Sequence, residues 1–413
     1  MAREKLWSSD FIILMIACSG ISFCNYFFSS TLPIYAKNLT GTTVYAGLIM
    51  TVYTFAALAI RPLTGILSDK FGRVKLLVLG AFICAIACFL YNFASIIVLL
   101  ILFRILHGIG FGIHSTCGGA IVADIIPKSR LSEGLGYYSL YGTIASALGP
   151  GIALTIIGTG EIDNFHALFI LATALTTMSM ILDFFIKYER RNKTKVRREK
   201  SPKNVAETGK ELLPKTLLGF EYSVFLPSSV VILVFIAFSS VTSFLPLFAM
   251  DRTLGNIGLF FTINSVGLFL SRITVGKIAD RKGEDIIVIP SLIASAVFLG
   301  LIPLAESSLY LFIIAMPLGF AQGAVFPAMN TLIFKKCSPQ RRGTASAAFS
   351  SSIDIGIGLG TLVHAYIADI LNYNFIYWGA MLYCGIALAV YILLVIPSNR
   401  KFFAAKQRKI SMK

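Results

Sequence analysis

The chain has 413 residues, of which 56% are hydrophobic and only 14% charged, with a mean hydropathy of +0.79. A water-soluble fold cannot solvate that much apolar side chain, so a soluble enzyme or nucleic-acid-binding domain is excluded despite a formal charge of +16. Continuous apolar runs, rather than ~10-residue stretches of alternating polarity, also exclude a membrane β-barrel.

In chain order, twelve runs are long enough to cross the ~30 Å hydrocarbon layer, which takes about 20 residues of helix. Six lie at 11–36, 44–67, 76–92, 96–124, 132–157 and 165–187. Six more lie at 228–249, 256–279, 286–304, 309–334, 343–369 and 374–396. The first run exceeds the 7–15 residues of a signal-peptide apolar core and lacks a cleavage site, so it reads as a span. The sequence therefore predicts an all-α membrane protein of twelve transmembrane helices in two six-helix bundles. The first bundle covers 1–187, and a basic linker covers 188–227. The second bundle and a basic tail cover 228–413. The linker opens KYERRNKTKVRREK, a solvated basic stretch, and its later part, LLPKTLLGFEYSVF, reads as able to lie along a membrane surface.

Charge orients the chain. With the amino terminus in the cytoplasm, 31 of the 36 basic residues fall in the inside tails and loops. The outside loops hold only Lys37 and Arg252, and Arg61, Arg104 and Arg272 lie within spans. Basic residues on the cytoplasmic side at every turn predict that both ends are cytoplasmic, where the surplus meets anionic lipid headgroups. The seven cysteines lie in or beside spans with neither zinc-ligand spacing nor an outside pair for a disulfide. They read as small packing residues, and no metal site is expected.

An internal repeat relates the halves. GLIMTVYTFAALAIRPLTGILSDKFG (47–72) aligns without gaps on GLFFTINSVGLFLSRITVGKIADRKG (258–283). Arg61 meets Arg272, Gly65 meets Gly276, Asp69 meets Asp280 and Gly72 meets Gly283, all 211 positions apart. Two six-span repeats predict a transporter with its substrate site between them near the bilayer midplane.

Three segments carry a family resemblance. GILSDKFGRVK (65–75) is similar to the signature loop between spans two and three of the major facilitator superfamily. LFRILHGIGFG (102–112) resembles that family's fourth-span motif, and GTIASALGPGIAL (142–154) resembles the fifth-span Gly-Pro motif of its antiporters, with Ala153 and Leu154 where glycine is favoured. Within the superfamily the chain most resembles the bacterial twelve-span drug/proton antiporter and sugar-efflux group. The resemblance implies gating by the signature residues Gly65, Asp69, Gly72 and Arg73 and their second copy, Gly276, Asp280 and Gly283. Asp69 would latch one access state against the positive end of span eleven, which suits a carboxylate near a helix N-terminus. Lys70, Arg73 and Lys75 are expected to anchor the loop at headgroups.

Other candidates follow from side-chain chemistry. A cation within a span must face the protein interior or water, so Arg104 is expected at a cavity. His107, Phe111 and His114 follow it at helical spacing and would extend a polar wall. Asp354 is the clear carboxylate near mid-span; with Arg104 it is the expected proton-coupling group, by competition between proton and substrate, the alternative being a fixed hydrogen bond or structural ion pair without a coupling role. By family analogy the cavity takes Asn25, Tyr26 and Ser29 from span one, Ser239 and Ser243 from span seven, and Gln322, Phe326 and Asn330 from span ten. Gly142, Ser146, Gly149 and Pro150 form a small-residue stripe suited to close contact between the halves.

The expected function is proton-coupled efflux of a small amphiphilic or metabolic compound across a bacterial cytoplasmic membrane. Few charges and many aromatic residues suit an uncharged or cationic compound. The alternatives are an importer or exchanger of a sugar or organic ion, and a lipid flippase or transporter-like receptor. No Walker A loop, HExxH or nucleophile signature points to an enzyme. No cofactor is expected, an ion gradient being the energy source. The expected partners are the substrate, protons and anionic lipids, without nucleic acid, and the chain is expected to act as a monomer.

Overall fold

The computed structural model describes residues 6–127, 131–158, 160–189, 216–217, 220–336, 342–400 and 402. It is all-α apart from a two-residue antiparallel ladder in which Thr216 faces Glu221 and Leu217 faces Phe220. In the first half, helices run α1 Ser9–Thr40, α2 Val44–Phe71, α3 Arg73–Leu90, α4 Ile97–Ile125, α5 Leu131–Ile157 and α6 Phe165–Phe184. In the second half they run α7 Tyr222–Asp251, α8 Gly258–Lys282, α9 Asp285–Leu301, α10 Ser308–Lys336, α11 Arg342–Ile370 and α12 Tyr373–Arg400.

Local chemistry sets the ends. The Ser8 hydroxyl accepts from the Phe11 N–H at 3.2 Å to cap α1, and Gly41 closes it with φ 76°. Gly72, with φ 101°, makes the one-residue turn between α2 and α3 that a side-chain-bearing residue would resist. In α7 the ladder widens to a π turn over Ser240–Phe244 just before Pro246, whose ring removes one backbone donor.

Eleven of these helices among the described residues are long and apolar enough to cross a membrane. The twelfth, α8, is 25 residues long, and the side chains of its last turns lie outside the described residues. It packs against α10 and α5 like its neighbours. Apolar side chains facing away from the bundle are widely exposed, Ile313 at 67% and Leu393 at 68%, as expected of a lipid-facing belt. The described residues of the segment read as able to lie along a membrane surface form the short ladder and the first turn of α7, which starts six residues before 228. Most of the basic linker lies outside the described residues.

The repeat is visible in the packing. In α2 and α4, a Cβ on Gly108 would lie 2.3 Å from the Tyr53 carbonyl and one on Gly112 2.7 Å from that of Ala57. In α8 and α10, a Cβ on Gly319 would run into the Asn264 carbonyl, and one on Gly323 would lie 2.8 Å from that of Leu268. Each of these residues is 211 positions from its counterpart. Backbones this close are the usual way for membrane helices to gain dispersion contact without a hydrophobic driving force.

The halves meet along two seams, α2 with α11 and α5 with α8, and α1 also touches α7. At the end away from the α2–α3 turn, Lys37 Nζ donates to the Tyr373 hydroxyl at 2.9 Å, and the Thr43 N–H to Asp369 Oδ1 at 3.2 Å. Deeper in that seam Thr51 Oγ1 donates to the Gly358 carbonyl at 2.8 Å. In the other seam Asn256 meets Thr155 at 3.3 Å, Gly151 and Gly258 are in backbone contact, and Thr262 donates to the Ala147 carbonyl at 2.9 Å.

Candidate functional site

Between the seams, both halves line a cavity of about 450 Å³. Eight helices line it: α1, α2, α4 and α5, then α7, α8, α10 and α11. Sequence reasoning had limited it to spans one, four, seven and ten, with Asp354 as a coupling group on span eleven. Its walls carry the rings of Tyr26, Tyr53, Phe111, Phe235, Phe261 and Phe326, with polar side chains set among them.

Of the predicted cavity residues, Asn25, Tyr26, Ser29, Phe111, Ser239, Gln322 and Phe326 line this space. Asp354 does too, as do Gly142, Ser146 and Pro150 of the small-residue stripe. Arg104, His107, His114, Ser243 and Asn330 do not line it. Helical spacing put the first three on Phe111's face, but only Phe111 reaches the cavity, while the other three are buried within the first bundle, where α4 packs on α2 and α3. Arg104 is fully buried, its guanidinium 4.0 Å from the centre of the Tyr53 ring. It donates to Met50 Sδ at 3.1 Å and lies 3.4 Å from His107 Nδ1, which also meets the Tyr91 hydroxyl at 3.2 Å. Arginine can only donate, so Nδ1 is the acceptor and the ring proton sits on Nε2. The Tyr53 ring, whose other contacts reach the cavity, thus stands between Arg104 and that space. His114 pairs with the fully buried Asp183 at 3.1 Å, a contact within the bundle. Ser243 is buried in the π turn of α7.

The expected partner of Asp354 also changes. Its Oδ2 lies 2.8 Å from Arg61 Nη1, across the α2–α11 seam, rather than beside Arg104. The contact is close in distance but poorly aligned, since neither Asp354 Oδ2 nor Arg61 Nε completes a hydrogen bond. On the opposite seam Arg272 Nη1 donates to Thr143 Oγ1 at 2.6 Å. Arg272 and Arg61 are 211 positions apart, and so are Asp354 and Thr143. The pseudo-symmetry therefore places the same bond twice, once as an ion pair and once as an arginine on a neutral hydroxyl. Arg61, Arg272, Thr143, Asn264 and Tyr53 were missed as cavity residues. The two arginines were visible as repeat markers, and an in-span cation at matching positions was the signal that could have found them.

At the α2–α3 turn, Arg73 pairs with Asp124 and donates to the Ala120 carbonyl at 3.2 Å, rather than reaching only for headgroups. Glu189 accepts from the Arg73 and Val74 N–H groups, the latter at 3.1 Å, placing an anion at the positive end of α3. A Cβ on Gly72 would lie 2.9 Å from that carboxylate. Gly65 has open space around it, and Gly283 repeats the positive φ of Gly72, at 87°. Gly276 lies within α8. The side chains of Asp69 and Asp280, and with them the proposed latch, lie outside the described residues. Ser146 meets Ser265 of the other half at 3.4 Å, whereas Gly149 packs on Tyr26 within its own half.

Two repeat-related helical bundles around one cavity with charged groups on its seams define a membrane transporter. The chain matches the family model of the Major Facilitator Superfamily over residues 13–255 and 228–411, and it belongs to that superfamily. It is not an enzyme. It is 24% identical to the staphylopine export protein of Staphylococcus aureus (strain Mu50 / ATCC 700699), over 93% of this chain and 94% of that one. It is 28% identical to the multidrug resistance protein MdtG of Escherichia coli (strain SMS-3-5 / SECEC), over 89% of this chain and 90% of that one. Among solved structures it resembles the nucleoside transporter NupG, with a TM-score of 0.69, 15% identity and coverage of 94% of this chain and 99% of that one. At that identity the likeness is one of fold.

Proposed function

We propose that this protein is a proton-coupled exporter of small molecules that works by alternating access. It would cross a bacterial cytoplasmic membrane twelve times, α8 being the twelfth span, with both ends in the cytoplasm. α8 fits such a span because its polar residues Asn264, Ser265 and Arg272 meet the cavity instead of lipid. Export is supported by the names of the relatives, and the orientation by the charge of the loops.

The observation that carries the coupling is the Arg61–Asp354 ion pair, which joins the two halves and faces the cavity. Protonation of Asp354 removes one charge of the pair and weakens the α2–α11 seam at its inner limit. Coupling then acts on the equilibrium between access states and does not require proton and substrate to share one site. Tyr53, beside Asp354 on the cavity wall, is the other ionisable group near the pair.

The test is transport in proteoliposomes with an imposed pH gradient, using a permanently ionised amphiphilic dye, 8-anilinonaphthalene-1-sulfonate. Wild type is expected to move the dye faster with the gradient than without it. Asp354→Asn should lose that acceleration while remaining folded and able to equilibrate the dye. Equal acceleration of wild type and variant would falsify the role given to Asp354. Net uptake against the direction of the proton gradient would favour the importer reading.

A further inference from the structure

The three intramembrane arginines are compensated in different ways. Arg61 has the carboxylate of Asp354 at 2.8 Å. Arg104 is sealed in the first bundle with the face of Tyr53, the Met50 sulfur and His107 around it. Arg272 has the Thr143 hydroxyl as its hydrogen-bond partner and the Tyr26 phenol nearby, both neutral, and among the described residues it pairs with no carboxylate. It nevertheless faces the cavity from the α8 wall, across from the ion pair. One of its five N–H donors is used, and none of its nitrogens is both enclosed and unpartnered, unlike Arg61 Nε and Arg104 Nε. Its free donors therefore open on the cavity.

Charge on the cavity wall points the same way. Asp354 is the one acidic lining residue among those described, against two arginines. With Asp354 ionised and paired to Arg61, the cationic fork of Arg272 is left uncancelled beside aromatic walls. A cation held in such surroundings without a counter-charge is costly, and a planar guanidinium matches the two oxygens of a carboxylate or phosphate.

Resting on the reading of this cavity as the transport site, we propose that Arg272 anchors an oxyanion, carboxylate or phosphate, of the transported compound, whose apolar body lies against the aromatic wall. The expected substrate class thus shifts from uncharged or cationic to acidic amphiphiles.

The test uses four probes with one ring system: 2-naphthoate, 2-naphthyl phosphate, 2-naphthamide and 2-naphthylmethylammonium. Their effect on thermal unfolding of the purified full-length protein is followed by light scattering. One or both anions should stabilise wild type with a half-saturation about tenfold lower than the amide, a difference of ~1.4 kcal/mol, and the ammonium should bind no better than the amide. Arg272→Gln should abolish the preference, and Arg272→Lys should retain part of it. Asp354→Asn, which removes the acidic group of the wall, should tighten the anion about threefold. An equal or stronger response to the amide or ammonium, or no response to any probe by folded wild type, overturns the proposal even if Arg272→Gln fails to fold. A shift produced by phosphatidylglycerol in the micelles and by neither naphthyl anion overturns the soluble-substrate form of it. Loss of proton-driven transport in Asp354→Asn with anion preference kept separates this proposal from the coupling reading.

Discussion

Asp183 and His114 meet inside the first bundle, away from the cavity, with both side chains almost wholly enclosed. Removing one partner of such a pair leaves the other polar and unmatched, which costs about 3–5 kcal/mol. Asp183→Leu is therefore expected to lower the unfolding temperature markedly in detergent, and an unchanged temperature would show that the pair contributes little. Arg104 has a related role. Its charge is stacked under Tyr53, so the in-span cation that looked most functional from sequence is set back from the cavity, while Arg61 and Arg272 face it. All three are alike as letters in a hydrophobic run; which face each presents depends on the neighbours of α2, α4 and α8.

Helix pairs in this protein are held by backbone contact at small residues. A side chain at Gly319 would drive into the Asn264 carbonyl, while Gly142 has nothing within 4 Å of a Cβ. Gly319→Leu should therefore separate α8 from α10 and reduce the folded yield severalfold, whereas Gly142→Ala should fold as wild type does. Size-exclusion profiles of the two variants check this. The small-residue stripe of α5 was legible in sequence, but its division of labour was not. Ser146 bridges to the other half and Gly149 packs within its own, because a helix turns each residue of one stripe toward a different neighbour.

For the molecule as a whole, the described contacts between halves run from the end away from the α2–α3 turn to the two arginines. Opening that end should require separating Thr155 from Asn256, whose side chains are 3.3 Å apart. A double variant, Thr155→Cys with Asn256→Cys, should stop transport when oxidised and recover on reduction. The native cysteines among the described residues are buried and reduced, so they leave this readout clean. Continued transport by the cross-linked protein would show that the seam need not open.

Helix number, the two-fold repeat and the charge of the loops could be read from the chain because lipid imposes its requirements on each span separately. A span needs a set length of apolar side chain, and a loop needs its charge, whatever the rest of the protein does. The superfamily was legible for a related reason, in short motifs at turns and helix crossings. The partners of the buried charges were decided only by the tertiary structure. Asp354 finds Arg61 across 293 positions of chain, and Arg272 finds Thr143 across 129, by the approach of helices that no local pattern encodes. The repeat could place Arg61 over Arg272 in the sequence; the packed helices alone put a carboxylate opposite one and a bare hydroxyl opposite the other.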